Sequence, residues 1–216
     1  MDVNIFNRSD IEYLEKLLLD EDGNLKVINY DYLKYVPQDH LSQFCVEQGF
    51  YIIPTIELLL YLQEEIGDDF ENTIEIGAGH GAISRLLGIR AVDNFMQDDP
   101  KIKAHYDLLK QKTVPYGKHV ERIDANSAVK KYNPNIVIGA YCTHLYNPAE
   151  HWREGNAYGI DEKKIIRKVK KYIHIGNEKV HNKKPILKEK KREVKANWII
   201  GRSQYPKSNV IWIWEK

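Results

Sequence analysis

Apolar residues recur at two spacings along this chain, and the spacings alternate. Residues 7–20 read as an amphipathic helix, with Ile11, Leu14, Leu17 and Leu18 on one stripe and Ser9 or Asp10 as the cap. Asp22-Gly23-Asn24 is a turn, and residues 30–50 hold one or two short helices interrupted at Pro37. Thr55 caps a further helix over 56–65 that ends near Gly67. Short apolar strands follow at 73–76, 88–94, 119–123, 134–140 and 172–177, and most of the gaps between them carry helical spacing. The helices fall at 98–112 (Ile102, Tyr106, Leu108 and Leu109 available for burial), at 127–132, and after Asp161 (Ile165, Ile166, Val169). Residues 134–140 form a near-continuous apolar run, as a central parallel strand requires. Two last strands, 196–201 and 210–214, close the chain as a hairpin, and Ile211, Trp212, Ile213 and Trp214 suit a strand buried on both faces. Strands alternating with helices predict an α/β domain: a doubly wound, mostly parallel sheet behind an N-terminal helical cover.

One of the strand-to-helix joints is unusual. In Glu75-Ile76-Gly77-Ala78-Gly79-His80-Gly81-Ala82, glycine takes every second position between a strand and a helix start. Glycine permits backbone angles and close ligand approach that a Cβ would block. The dinucleotide fingerprint G-x-G-x-x-G wants its third glycine where Ala82 stands, which counts against a dinucleotide-dependent oxidoreductase. The stretch instead resembles motif I of the class I (Rossmann-like) S-adenosylmethionine-dependent methyltransferases, with Glu75 as the acid closing the first strand. The resemblance covers residues 51–216, is strongest over 73–140, and is one of topology alone beyond that. It implies seven strands with an antiparallel C-terminal hairpin, and a division into residues 1–50 (cover) and 51–216 (cofactor-binding domain).

The resemblance also assigns a cofactor, S-adenosyl-L-methionine, and residues to hold it. Glu75, Gly77, Ala78, Gly79 and Gly81 would meet the methionine portion. Asp93, with Asn94 beside it, would hold the ribose. Asp93 stands 16 positions after Gly77, against the roughly 20 usual for a ribose-binding acid in nucleotide folds. Asp124 and Ala125 stand where the family meets adenine, although Asn126-Ser127 would equally begin a helix. The segment Tyr51-Ile52-Ile53-Pro54-Thr55 resembles one that lines the cofactor pocket, and an aromatic hinge packed on the sheet explains it as well.

Residues 141–148 follow the fourth strand, where the family holds its methyl acceptor. They lack the Asn/Asp-Pro-Pro-aromatic motif of many enzymes that methylate nucleic-acid amines, which counts against such an acceptor. His144 is the candidate general base, since its intrinsic pKa lies near neutrality, and Tyr141 is the second catalytic candidate. A loop histidine is also often structural. No cysteine pair points to carbon methylation through a covalent adduct; Cys142 is the lone thiol there. Residues 152–160 form a loop, either a lid carrying Tyr158 or an ordinary connection. The expected reaction is methyl transfer to an O or N nucleophile of a small-molecule or macromolecular acceptor.

Charge adds one alternative. The chain's net charge is +1, yet residues 163–195 hold fourteen Lys or Arg and three Glu, so 14 − 3 = +11 there and 1 − 11 = −10 elsewhere. Such a run is either a solvated face or the footprint of an anionic partner such as nucleic acid. Only Tyr172 interrupts it with an aromatic ring, so base stacking gains no support. A nucleic-acid-binding protein, an RNA methyltransferase using this segment, and a catalytically silent cofactor-binding partner therefore stand as alternatives. Two cysteines and an ordinary apolar content of 43% predict a cytoplasmic globular protein without disulfide framework or metal site. The longest apolar run, broken by Pro54 and Glu57, is too short for a membrane span, and the first four residues do not resemble a secretory leader.

Overall fold

The computed structural model of the protein describes residues 9–216, and the side chains from residue 11 onward. The expectations placed on residues 1–8, and on Ser9 or Asp10 as caps, lie outside the described residues. Helices α1 (Ser9–Leu18) and α2 (Gln38–Gln48, starting directly after Pro37) make the N-terminal cover. Ile11, Leu14 and Leu18 bury the predicted stripe against Leu41, Phe44 and Cys45. Then come β1 (Ile52–Ile53) and α3 (Ile56–Ile66). The Thr55 hydroxyl caps α3 by accepting from the Leu58 N–H at 3.1 Å, as the sequence predicted.

Beyond α3 the chain alternates: β2 (Thr73–Ile76), α4 (Ala82–Leu87), β3 (Arg90–Asp93), α5 (Pro100–Leu108), β4 (Val120–Arg122), α6 (Ala125–Tyr132), β5 (Ile136–Ala140), α7 (Glu162–Ile166) and β6 (Lys171–Asn177). It ends with α8 (Glu178–His181), β7 (Arg192–Val194), β8 (Ile200–Gly201) and β9 (Asn209–Glu215). The sheet has seven strands in the order β4-β3-β2-β5-β6-β9-β7. Strands β4, β3, β2, β5 and β6 are parallel, and β9 runs antiparallel between β6 and β7. Helices cover both faces. Leu58, Leu62 and Ile66 of α3 with Ile83 and Leu87 of α4 pack on one, against Ile138, Ile173, Ile211 and Ile213. Val129 of α6 and Ile165 of α7 pack on the other, against Val137, Tyr172, Trp212 and Trp214. Thus β9 is buried on both faces, and its period-2 alternation sends isoleucines one way and tryptophans the other.

Three expectations need correction. The C-terminal hairpin does not join 196–201 to β9; β9 pairs with β7, inside the basic stretch predicted to be loop. Arg192 can face solvent there while its guanidinium pairs with Glu65 (2.7 Å), a contact between distant residues that sequence patterning does not register. Residues 200–201 leave the sheet instead and pair with β1 as a two-stranded ribbon. Finally, α5 stops at Leu108, and Leu108 and Leu109 are exposed at 83% and 52% rather than buried, because α5 contributes no buried residue to the core.

Candidate functional site

The strand order reverses direction at β2: the chain moves outward through β3 to β4, then returns to the other side of β2 with β5. In open α/β sheets such a switch point leaves a crevice at the carboxyl ends of the strands. A cavity of about 260 Å³ lies there, walled by residues 77–83 after β2, by Asp93 and Asn94 after β3, and by 140–143 after β5. Phe50, Tyr51, Ile52, Tyr106 and Tyr116 supply an aromatic and apolar side wall.

The glycine turn is built for close approach. Gly77, Gly79 and Gly81 all have left-handed φ values (55°, 55° and 71°). At Gly77 a Cβ would stand 2.7 Å from the Cys142 Sγ, so any side chain would collide with the β5 loop. Two carboxylates shape the turn from below. Glu75 is buried and accepts from the Ser84 N–H at 2.8 Å. Asp93 accepts from the N–H groups of Gly79 (2.9 Å) and Phe95 (2.8 Å). Burial pushes the Glu75 carboxyl up to about 7, and burial also raises Asp93. Both acids line the cavity while also holding backbone partners.

The cavity brings together Glu75, Gly77, Ala78, Gly79, Gly81, Asp93, Asn94, Ala125 and Tyr141 from the sequence-predicted set. Asp124 does not line it. Its carboxylate caps α6 by accepting from the Ser127 N–H at 3.0 Å, so the helix begins at Ala125, two residues before the expected start at Ser127. His144 does not line it either; its Nε2 lies 3.1 Å from the Arg153 carbonyl, and it walls a neighbouring cavity of about 300 Å³ with Tyr146 and Ile186. Burial lowers its pKa, so it stays neutral near pH 7. Tyr141 lines the cavity, but its hydroxyl donates to Asn209 Oδ1 at 3.0 Å. Burial drives the Cys142 thiol up to about 12, and Sγ–H donates to the Ile76 carbonyl at 3.3 Å. A thiol so protonated is a poor nucleophile for a covalent adduct.

Some lining residues gave no signal in the sequence. Tyr116 and Gln97 come from the ground flanking α5, and Tyr106, expected only to be buried, comes from α5 itself. The Tyr51 and Tyr106 hydroxyls lie 2.9 Å apart, and Gln97 joins Tyr51 to the Val114 N–H. His80 did stand inside the visible motif. Its ring is edge-on to Phe50, its Nδ1 is buried without a hydrogen-bond partner, and burial with nearby Arg85 and His119 lowers its pKa to about 4. The segment 144–160 is an ordered lobe: Leu145 N–H donates to Ile160, Asn156 N–H to His144, and Asn94 Nδ2 to the Tyr158 carbonyl at 2.9 Å.

The basic stretch is partly spent inside the molecule. Lys164, Lys171, Lys183, Lys184, Lys191, Arg192 and Lys195, seven of the fourteen, form ion pairs with acids of the same chain. No His/Cys/Asp/Glu cluster among the described residues has the arrangement of a metal site, and no described helix is long and apolar enough to cross a membrane.

No protein-family model matches this chain, and no curated protein matches it. Among solved structures it is similar to an rRNA methylase from Streptococcus thermophilus, at 12% identity over 74% of this chain and 96% of that one, with a TM-score of 0.42. It is also similar to precorrin-6y C5,15-methyltransferase from Geobacter metallireducens GS-15, at 13% identity over 76% and 91%, with a TM-score of 0.38.

Proposed function

We propose that this protein is an S-adenosylmethionine-dependent methyltransferase acting on an O or N nucleophile. One observation carries the reading: at the sheet's switch point, a left-handed glycine turn and the carboxylates of Glu75 and Asp93 converge on one cavity. The residues fit the cofactor chemically. Buried carboxylates suit an ammonium, which only donates, and paired hydroxyls, each of which can donate one hydrogen bond, and the tyrosine wall suits a nucleoside's flat ring. When bound, S-adenosylmethionine supplies a methyl group already activated on a sulfonium.

The chain's task is then orientation and exclusion of water. Holding reactants in line is worth about 7–11 kcal/mol. Glu75 accepts from the ammonium, Asp93 from hydroxyls, and the turn at 141–143 presents the acceptor side. In this reading neither the His144 ring, which lies by the Arg153 carbonyl, nor the protonated Cys142 thiol serves as base or nucleophile. A methyl transfer governed mainly by positioning accords with that.

Glu75 supplies the test. A carboxyl raised to about 7 is largely protonated at pH 6, and a cationic amine binds the ionised form. Binding therefore expels a proton below pH 7, and affinity rises with pH. For one such group, S-adenosylhomocysteine should bind about tenfold tighter at pH 8 than at pH 6. Calorimetry across this range checks it, and Glu75→Gln should flatten the profile. No binding by the wild-type protein at any pH would end the methyltransferase reading. A slope that survives in Glu75→Gln would instead remove Glu75 from the amine.

A further inference from the structure

Beneath the acceptor side of the cavity lies a set of buried polar side chains that cofactor binding does not use. Its focus is Tyr141, a non-glycine residue at φ 54°. A left-handed tyrosine persists only where its surroundings over-determine it. Here they do. Its N–H donates to the Ile175 carbonyl at 2.8 Å. The His181 ring stands edge-on 5.4 Å from the tyrosine ring. Its hydroxyl donates to Asn209 Oδ1 at 3.0 Å.

Asn209 leads further. The same Oδ1 accepts from Asn177 Nδ2 at 2.7 Å, and Nδ2 of Asn209 donates to the Ile199 carbonyl at 2.7 Å. Ile199 directly precedes β8, and β8 pairs with β1, where Ile52 sits opposite Gly201 and lines the cavity. At Gly201 a Cβ would overlap the Tyr141 hydroxyl, so the ribbon and the turn are fitted to each other. One buried amide therefore bonds Tyr141 of one cavity wall and the residue that leads into the ribbon carrying the other. A buried amide is unfavourable unless its polar atoms are bonded, and both atoms of this one are.

We propose that Asn209 is a positioning residue: its amide ties the 141–143 turn to the β1–β8 ribbon and sets the width of the cavity between them. The turn's role as the acceptor side rests on the methyltransferase reading; the tie itself does not.

Hydrogen–deuterium exchange and S-adenosylhomocysteine calorimetry on the full chain test it. Tyr141→Phe keeps the ring and removes only the bond to Asn209. It should speed exchange in 141–145 at least tenfold and weaken S-adenosylhomocysteine by roughly fivefold, within what one buried hydrogen bond can supply. Asn209→Asp keeps the acceptor for Tyr141 and removes the donor to Ile199. It should loosen 199–202 and 50–53 and leave 141–145 protected. Asn209→Leu should loosen both, and adding Tyr141→Phe to it should weaken affinity no further, as expected of two residues in one contact. Were both segments to exchange at wild-type rates in folded Tyr141→Phe and Asn209→Asp, the tie would carry nothing. Additive losses in the double variant would overturn it too. If Asn209→Leu does not fold, Tyr141→Phe and Asn209→Asp still decide. Wild-type protein that fails to bind S-adenosylhomocysteine would sink the cofactor reading, and the exchange pattern would still judge the tie.

Discussion

Lys184→Met should destabilise the protein by about 3–5 kcal/mol, the range for removing one partner of a buried ion pair. Lys184 and Glu162 are 1% and 3% exposed, and Lys184 Nζ meets Glu162 Oε2 at 2.8 Å. The other oxygen, Oε1, accepts from the Tyr172 hydroxyl at 2.7 Å. Methionine fills the lysine's volume, so the loss is electrostatic: a carboxylate stays buried with one neutral donor. For a chain of this size each kcal/mol moves Tm by about 2–4 °C, so thermal unfolding should shift by roughly 6–20 °C. Glu162→Leu combined with Lys184→Met should recover most of the loss, since an apolar replacement of both charges is often neutral or better. A single variant within 1 kcal/mol of wild type would mean that water reaches Glu162.

This ion pair marks the boundary of what the sequence could show. Lys184 is one of fourteen basic residues in a run that reads as a solvated face, and nothing in local spacing separates it from its neighbours. It is buried in the fold, where the 185–188 turn that follows it packs against α7. The parallel strands were legible for the opposite reason. Ile74 and Ile76 declare one buried face through their period, and Val137 between Ile136 and Ile138 declares burial on both. The glycine turn was legible because its conformation demands the residue type. By contrast, β7 reads Arg192-Glu193-Val194 and has the polar composition of a loop; it becomes a strand because β9 offers it an edge.

The candidate site divides along the same line. Residues at strand ends, such as Glu75 and Asp93, were placed by topology, which the apolar pattern determines. His144 was nominated by chain position and its intrinsic pKa and Tyr141 by chain position; in the fold the His144 ring lies by the Arg153 carbonyl, and Tyr141 lines the cavity with its hydroxyl donating to Asn209. Direction depends on backbone φ at single residues, and the positive φ of Tyr141 follows from distant partners, Ile175 and Asn209. Tyr116 reaches the cavity from an irregular segment that no period describes, and Tyr106 from α5, whose spacing signalled only burial.

Asp93→Ala should weaken S-adenosylhomocysteine at least about 100-fold, close to 2.7 kcal/mol. Two losses combine. Hydroxyl donors of the ligand lose a charged acceptor, and hydrogen bonds to charged groups are worth about 1.5–3 kcal/mol. The N–H groups of Gly79 and Phe95 also lose their partner, so the turn that approaches the ligand loosens before anything binds. Asp93→Asn keeps one carbonyl oxygen and should fall between, at about tenfold. Asp124→Ala is the contrast. Its carboxylate caps α6 and does not line the cavity, so the variant should lose about 1 kcal/mol of stability and keep its affinity within about threefold. Calorimetry and thermal unfolding on the three variants separate these outcomes. Unchanged affinity in Asp93→Ala would detach the acid from the ligand, whereas a large loss in Asp124→Ala would return that residue to the adenine end of the site.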